Sequence, residues 1–359
     1  MKRMHALGAA LAVAAATMVA ASAGAAEKMK AAWIYIGPTG DFGWSYQHDQ
    51  GRLAVEKALG DKVETVKVES VPEGADAERV ITQLAQSGAK IIFTTSFGYM
   101  NPTLKVAARF PKVKFEHATG YKRAPNVSTY SIRWYEGRAV MGTIAGMMTK
   151  SGIIGYVASV PIPEVVGGID AFTLALRKVR PDAKVKVIYV NSWYDPGKEA
   201  AAAKALIDQG ADVITQHTDS PAPVQTAEQR GVWSFGQASD MRRFGPTHEL
   251  TSLTDNWRGY YVSRVKAVLD GTWKSQDTWG GFASGMLKLS PFNPAMPANV
   301  QKAANDEIEA IKSGKLHPFA GPIKDQKGKE MVGAGKHLSD AQILGINWYV
   351  EGVESELPH

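Results

Sequence analysis

Residues 33–49 read WIYIGPTGDFGWSYQHD. The apolar run Trp33 to Ile36 has the length and character of a buried strand. It stops at Gly37-Pro38-Thr39-Gly40, a turn cluster that cannot continue a ladder. Asp41, Phe42, Trp44, Tyr46, Gln47 and His48 follow, aromatic and hydrogen-bonding groups in a loop running into a helix. In an open α/β sheet, the loop at a strand's carboxyl end is where ligands sit. The same aromatics also read as packing for the top of the first helix.

Working outward, strand and helix patterns alternate. Apolar runs at 31–36, 63–68, 90–95 and 112–116 read as strands, with a further strand at 127–132. Helical spacing occupies 45–59 (Leu53, Val55, Leu59), 76–87 and 101–109. A Gly-containing helix over 135–150 follows, its glycines suggesting close packing or a kink. The pattern then restarts with strands at 153–158, 185–190, 212–216 and 232–236, separated by helices at 164–179, 197–209 and 221–230. Leu84–Ile92 lines up with Leu206–Ile214, an offset of 122 residues that also brings Val66–Val68 onto Ile188–Val190. Two similar βαβαβ halves are expected, with parallel sheets covered on both faces and a cleft between their strand ends. A strand at 250–253, a helix at 255–270, a Gly-rich strand-like stretch at 276–290, a helix at 298–313 and a surface-wrapping tail from 314 complete the chain. Exchange between lobes near 134, 254 and 275 would make a hinge. The expected division is 27–134 plus 255–274 for one lobe and 135–254 plus 275–359 for the other.

The start of the chain reads differently. Lys2 and Arg3, an Ala-rich apolar run from Ala6 to about Ala21, and Ala23-Gly24-Ala25 form a secretory signal-peptide pattern over 1–26. The rest is expected to be a soluble, freely periplasmic protein. Cys is absent from all 359 residues, so disulfides, thiolate metal sites, a cysteine nucleophile and a lipid-acceptor cysteine are not expected. The 41 basic residues include Lys2 and Arg3, and with 35 acidic residues the remainder carries +4 (39 minus 35). That balance, without a basic run, does not suggest a nucleic-acid partner.

Strand-end loops should carry the chemistry. Phe42, Trp44 and Trp193 are placed to sandwich a flat ring, and Phe97 sits in the loop Thr94–Met100. Asp219, Asp240 and Asp255, with the amide of Gln237, suit ring N–H groups or an exocyclic amine. Ser45 and Gln47 read as supporting contacts. Any of these also reads as a loop cap or turn residue. His117 and His217 each end a strand, and without paired ligand spacing they read as polar lining rather than a metal site. GxSxG, HExxH and P-loop patterns are absent, so neither an enzyme nor a cofactor or metal is expected.

Several segments carry a family resemblance. Phe42-Gly43-Trp44-Ser45, Trp134-Tyr135-Glu136-Gly137, Asn191-Ser192-Trp193-Tyr194-Asp195-Pro196 and Phe235-Gly236-Gln237-Ala238-Ser239-Asp240 are similar to the basic membrane protein family. So are Gly210–Ile214 and Leu250-Thr251-Ser252. The resemblance implies an α/β type I periplasmic-binding fold, two Rossmann-like lobes with the ligand cleft between them, in a substrate-binding protein of an ABC importer. It also implies a partner permease in the inner membrane, a monomeric state, and purine nucleosides as ligands, clamped here by Phe42 and Trp193. Two positions depart from it. The family's ribose-binding aspartate is matched by Ala238, and a lysine after the Thr-Ser strand by Asp255. Losing the diol acceptor and gaining a carboxylate points to a free, adenine-like purine base. A purine nucleoside, or a secreted nucleoside-processing enzyme, is the alternative.

Overall fold

The computed structural model describes residues 27–358; the 1–26 leader pattern lies outside them. The first half contains β1 (Met29–Tyr35), α1 (Trp44–Leu59), β2 (Val63–Val68), α2 (Ala75–Gln86), β3 (Ile91–Thr95), α3 (Met100–Arg109), β4 (Lys114–Ala118) and β5 (Val127–Ile132). The second contains α4 (Trp134–Met148), β6 (Ile153–Ala158), α5 (Pro163–Val179), β7 (Lys184–Tyr189), α6 (Pro196–Asp208), β8 (Val213–His217), α7 (Ala222–Arg230), β9 (Trp233–Gly236) and β10 (Glu249–Asp255). Then come α8 (Arg258–Leu269), β11 (Asp277–Gly280), β12 (Leu287–Leu289) and α9 (Ala298–Lys312). A small hairpin of β13 (Ile323–Lys324) and β14 (Glu330–Val332) and the single turn α10 (Asp340–Ile343) end the chain.

The two six-stranded sheets have the same plan: β11-β5-β4-β3-β1-β2 and β12-β10-β9-β8-β6-β7. The β1 to β5 and β6 to β10 ladders are parallel, which puts both sets of strand-end loops on facing edges. The repeat is not a uniform 122-residue offset. Ala32 pairs with Val66, whereas Ile154 pairs with Val185 rather than Ile188, because the β6–β7 connection is shorter. Each sheet is buried on both faces, as continuous apolar strands such as Ile91–Phe93 and Ile154–Val157 require. The glycines of α4 serve close packing: a Cβ on Gly142 would stand 2.2 Å from the Phe172 carbonyl oxygen of α5.

Three sequence expectations change. The third crossing is not near 275. β11 pairs with β5 through Asp277 and Thr129, so 277–280 extends the first sheet and the chain crosses at 281–286. Gly280-Gly281 allows this passage, with Phe282 N–H donating to Glu136 Oε2 at 2.8 Å. Second, α1 does not bury an apolar stripe. Leu53 is 40% exposed, while His48, Asp49 and Arg52 face inward. Hydroxyls wait for them there: Tyr35 donates to Asp49 at 3.2 Å and Tyr261 meets His48 Nδ1. Third, the tail is not only surface wrapping. Phe319, Ile346, Tyr349 and Val353 join the core, and Val350 N–H donates to the buried Asp170 at 3.0 Å.

The crossover helix α8 is fastened to the first sheet by Glu116 of β4. This buried carboxylate accepts from Arg264 Nε, Tyr260 Oη and Trp273 Nε1, each at 2.6 Å. Replacing Glu116 with Leu strands the Arg264 guanidinium, 6% exposed, without a counter-charge. Breaking such a pair is expected to lower unfolding free energy by about 3 kcal/mol or more, read from urea denaturation. Adding Arg264→Met should recover most of the loss, and no recovery would mean that the cost lies in packing.

Candidate functional site

The sheets' facing edges border a narrow cavity, about 350 Å³ of space counted together with its open mouth. Ile36, Trp44, Ser96, Phe97 and Thr119 line it from the first lobe, and Glu164, Trp193, His217, Asp219 and Gln237 from the second. Five of the ten expected site residues are therefore brought together: Trp44, Phe97, Trp193, Asp219 and Gln237.

The other five are placed elsewhere, each for a visible reason. Phe42 has a left-handed backbone (φ 59), which turns its ring out of the cavity. The ring lies beside Phe244, with the Arg243 guanidinium 3.5 Å from its centroid. Trp44, two residues on, takes the wall position instead. Its indole Nε1 donates to the Thr95 carbonyl at 2.6 Å, and its ring packs edge-on to His48 at 4.1 Å. Ser45 is buried and accepts from Gly37 N–H at 3.1 Å. Gln47 donates to the Asp255 main-chain carbonyl. Asp240 is exposed and paired with Arg242. Asp255 is buried one layer back, accepting from Trp134 Nε1 at 2.9 Å.

The loop that carries Trp44 is built around Asp41. Its carboxylate accepts from the main-chain N–H groups of Gly43, Ser45 and Tyr46 at 2.9–3.0 Å and so closes the start of α1. Gly43 then meets the opposite lobe. A Cβ there would stand 2.0 Å from the Asp219 carbonyl oxygen. Ser239 Oγ–H donates to the Phe42 carbonyl from the second lobe. The lobes are in the closed arrangement.

Behind the second-lobe wall lies Arg138, fully buried. It donates to the Gln216 carbonyl at 2.6 Å, to Thr215 Oγ1 at 3.2 Å and to Gln237 Oε1. A guanidinium only donates, so it fixes the Gln237 oxygen inward and leaves that amide's NH₂ for a ligand. Acceptors outnumber this donor. Asp219 Oδ2 and Asp255 Oδ2 are buried without a partner, as is His217 Nδ1. Glu164 keeps 20% of its side-chain surface open, toward the cavity it lines, with Oε1 3.4 Å from His217 Nε2. Burial, then the neighbouring Asp255, pushes Glu164 up to about 8, and burial does the same for Asp255. Burial and Asp41 hold Asp219 well above the carboxylate range, while burial pushes His217 well down. The Glu164–His217 contact is thus between two groups held neutral rather than an ion pair. Glu164 escaped the sequence reading because, following Pro163 at a helix start, it looks like an ordinary first-turn charge. His117 does not reach the cavity; its Nδ1 bonds Thr94 Oγ1 at 3.0 Å behind the wall.

With the geometry in place, comparison with known proteins decides the family. Residues 28–318 match the Bmp model, described as ABC transporter substrate-binding protein PnrA-like. The chain belongs to this family. This substrate-binding protein is 59% identical over 348 residues to "Purine-binding protein BAB2_0673" of Brucella abortus, covering 97% of this chain and 99% of the relative. It is 40% identical over 332 residues to "Putative ABC transporter glucose-binding protein TsgA13" of Haloferax volcanii, covering 92% of this chain and 82% of that one. Among solved structures, an ABC transporter solute-binding protein from Aeropyrum pernix K1 superposes with a TM-score of 0.71 at 19% identity, covering 82% of this chain and 94% of that chain. Another from Conexibacter woesei gives 0.64 at 22% identity, covering 80% and 98%. These structures establish the type I periplasmic-binding fold. A substrate-binding protein of an ABC transporter acts outside the cytoplasm, with a small ligand and a membrane permease as its partners.

Two outcomes follow from the closed cleft. Gly43→Ala should hold the lobes apart and weaken ligand binding roughly tenfold or more by reducing the closed population. Calorimetry would show the loss, and the urea midpoint of the ligand-free protein should not move. The carboxyl groups set a pH dependence. Below their ordinary values of 4.5 for Glu164 and 3.8 for Asp255 both open and closed forms are protonated, so closure bears no ionic cost. Between these values and about 8 the open, solvated form ionises first, so each rise in pH favours opening. Small-angle scattering of the ligand-free protein should show a larger radius of gyration at pH 8 than at pH 5, and Glu164→Gln should flatten that change.

Proposed function

We propose that this protein binds a purine base with an adenine-like donor pattern in the interlobe cavity and delivers it to an inner-membrane permease. The observation that carries this reading is one arrangement. Two indole rings, Trp44 and Trp193, wall the cavity from opposite lobes, and buried polar atoms without partners lie beside them at Asp219 and His217. A flat ring fills the space between the indoles. Its N–H groups meet those atoms, and a ring nitrogen accepts from the Gln237 amide. The buried methyl of Ala238 offers a sugar diol no carboxylate. The name of the Brucella relative supports the same ligand class. The function is capture and release with no bond chemistry, in the periplasm, after removal of the 1–26 leader.

Calorimetry with adenine, guanine, adenosine and inosine tests the assignment. Adenine should bind tightest, and inosine binding far more tightly than every free base would overturn it. Trp44→Ala and Trp193→Ala should each weaken binding about tenfold or more, the loss of one stacking wall with its buried area. Phe42→Ala removes no wall and should cost less than either.

A further inference from the structure

The inner cavity has a neighbour that the purine reading does not use. An outer groove of about 1390 Å³, open to solvent, shares Phe97, Thr119 and Glu164 with the cavity. Those three residues form the junction between the two spaces. Whatever projects from a ring in the cavity past Glu164 enters this groove.

The groove is lined by carbon. Trp279, Tyr135 and Ile162 form walls, and the exposed Tyr121 and Leu344 also line it. Tyr121 is 58% exposed and Leu344 52%, two of the four large hydrophobic residues left exposed among those described. Both would lose water contact if the groove were filled. Apart from the hydroxyl of Ser131 and the O–H of Tyr135, most polar groups nearby are already committed. Arg123 and Asp277 pair at 3.1 Å. The Trp279 indole donates to the Ile132 carbonyl at 2.9 Å, and the Tyr135 hydroxyl accepts from Arg133 at 2.7 Å. A sugar would find few free partners for its hydroxyls here, whereas an apolar group needs none.

Glu164 at the junction decides which ligand atom carries that group. Its carboxyl can accept an N–H of an exocyclic amine held in the cavity. A secondary amine keeps one N–H for that bond and directs its substituent the other way, into the groove. We propose, resting on the purine reading, that the ligand class extends to aminopurines bearing an apolar substituent on the exocyclic nitrogen, with the outer groove as the substituent's subsite.

The test is calorimetry of the purified protein with adenine and 6-benzylaminopurine, on the wild type and on the double variant Tyr121→Ala/Leu344→Ser. Both replaced side chains are exposed, so the fold should survive. The benzyl compound should bind about tenfold tighter than adenine to the wild type, less than full burial of a phenyl ring would give because the groove is open. The double variant should lose that gain and bind adenine as before. Adenine binding with the benzyl compound weaker or silent would overturn the subsite and leave the purine reading standing, as would a gain that survives in the double variant. Failure of both compounds to bind would overturn the purine reading and the subsite with it.

Discussion

The closed cleft buries three carboxyl groups, Glu164, Asp219 and Asp255, together with one guanidinium, Arg138, that bonds none of them. Its terminal NH groups are held by Gln216, Thr215 and Gln237, and its Nε has no partner among the described residues. Asp219 and Asp255 each keep an oxygen without a partner. Burying an unpaired acceptor costs about 1–3 kcal/mol, and an ionised one more, so closure alone leaves the site under-satisfied. Donors on a ligand would complete it. The ligand then contributes the free-energy difference between open and closed lobes, which is what a capture-and-release protein needs. A cleft that satisfied itself would close empty.

The scaffold prepares those loops by symmetry. Among the described residues, five non-glycine positions have positive φ, and all five follow strand ends: Phe42, Ser70, Thr119, Asn191 and Ala238. Four of them form pairs in the repeat, Ser70 after β2 with Asn191 after β7, and Thr119 after β4 with Ala238 after β9. Side chains rarely adopt this backbone without tertiary support. The strain therefore recurs at equivalent corners of both lobes, where the chain must leave the sheet sharply to form the cleft wall. Phe42 has no such counterpart among the described residues, and its turn is the one that seats Trp44.

Much of the fold was legible because buried parallel strands are continuous apolar runs, such as Ile91–Phe93 and Ile153–Ala158, and periodicity reads these directly. What escaped depended on tertiary partners. β11 and β12 form one strand-like stretch in sequence but join different sheets, since pairing partners leave no local mark. The polar inward face of α1 reads as surface until Tyr35 and Tyr261 are known to meet it. In the site, loop positions were legible and side-chain directions were not. Phe42 and Trp44 look equally suited to wall the cavity, and one positive φ separates them. Glu164 starts a helix, yet its neighbours His217 and Asp255 come from distant strands, which spacing cannot reveal.

Separating Phe42 from the cavity has a mechanistic consequence. Its ring packs under Arg243 and beside Phe244, its carbonyl accepts from Ser239, and the adjoining Gly43 rests on Asp219. These contacts join the lobes, and of the residues they involve only Asp219 also lines the cavity. They favour closure whatever the ligand, while Trp44, Trp193 and the acceptors favour closure only around a ligand that fits. Affinity is the sum of the two, but discrimination comes from the second alone, because a contact present with every ligand cancels in any ratio of affinities. Strengthening the Phe42 latch would therefore raise affinity for all ligands alike, up to the point at which the empty protein closes and excludes them.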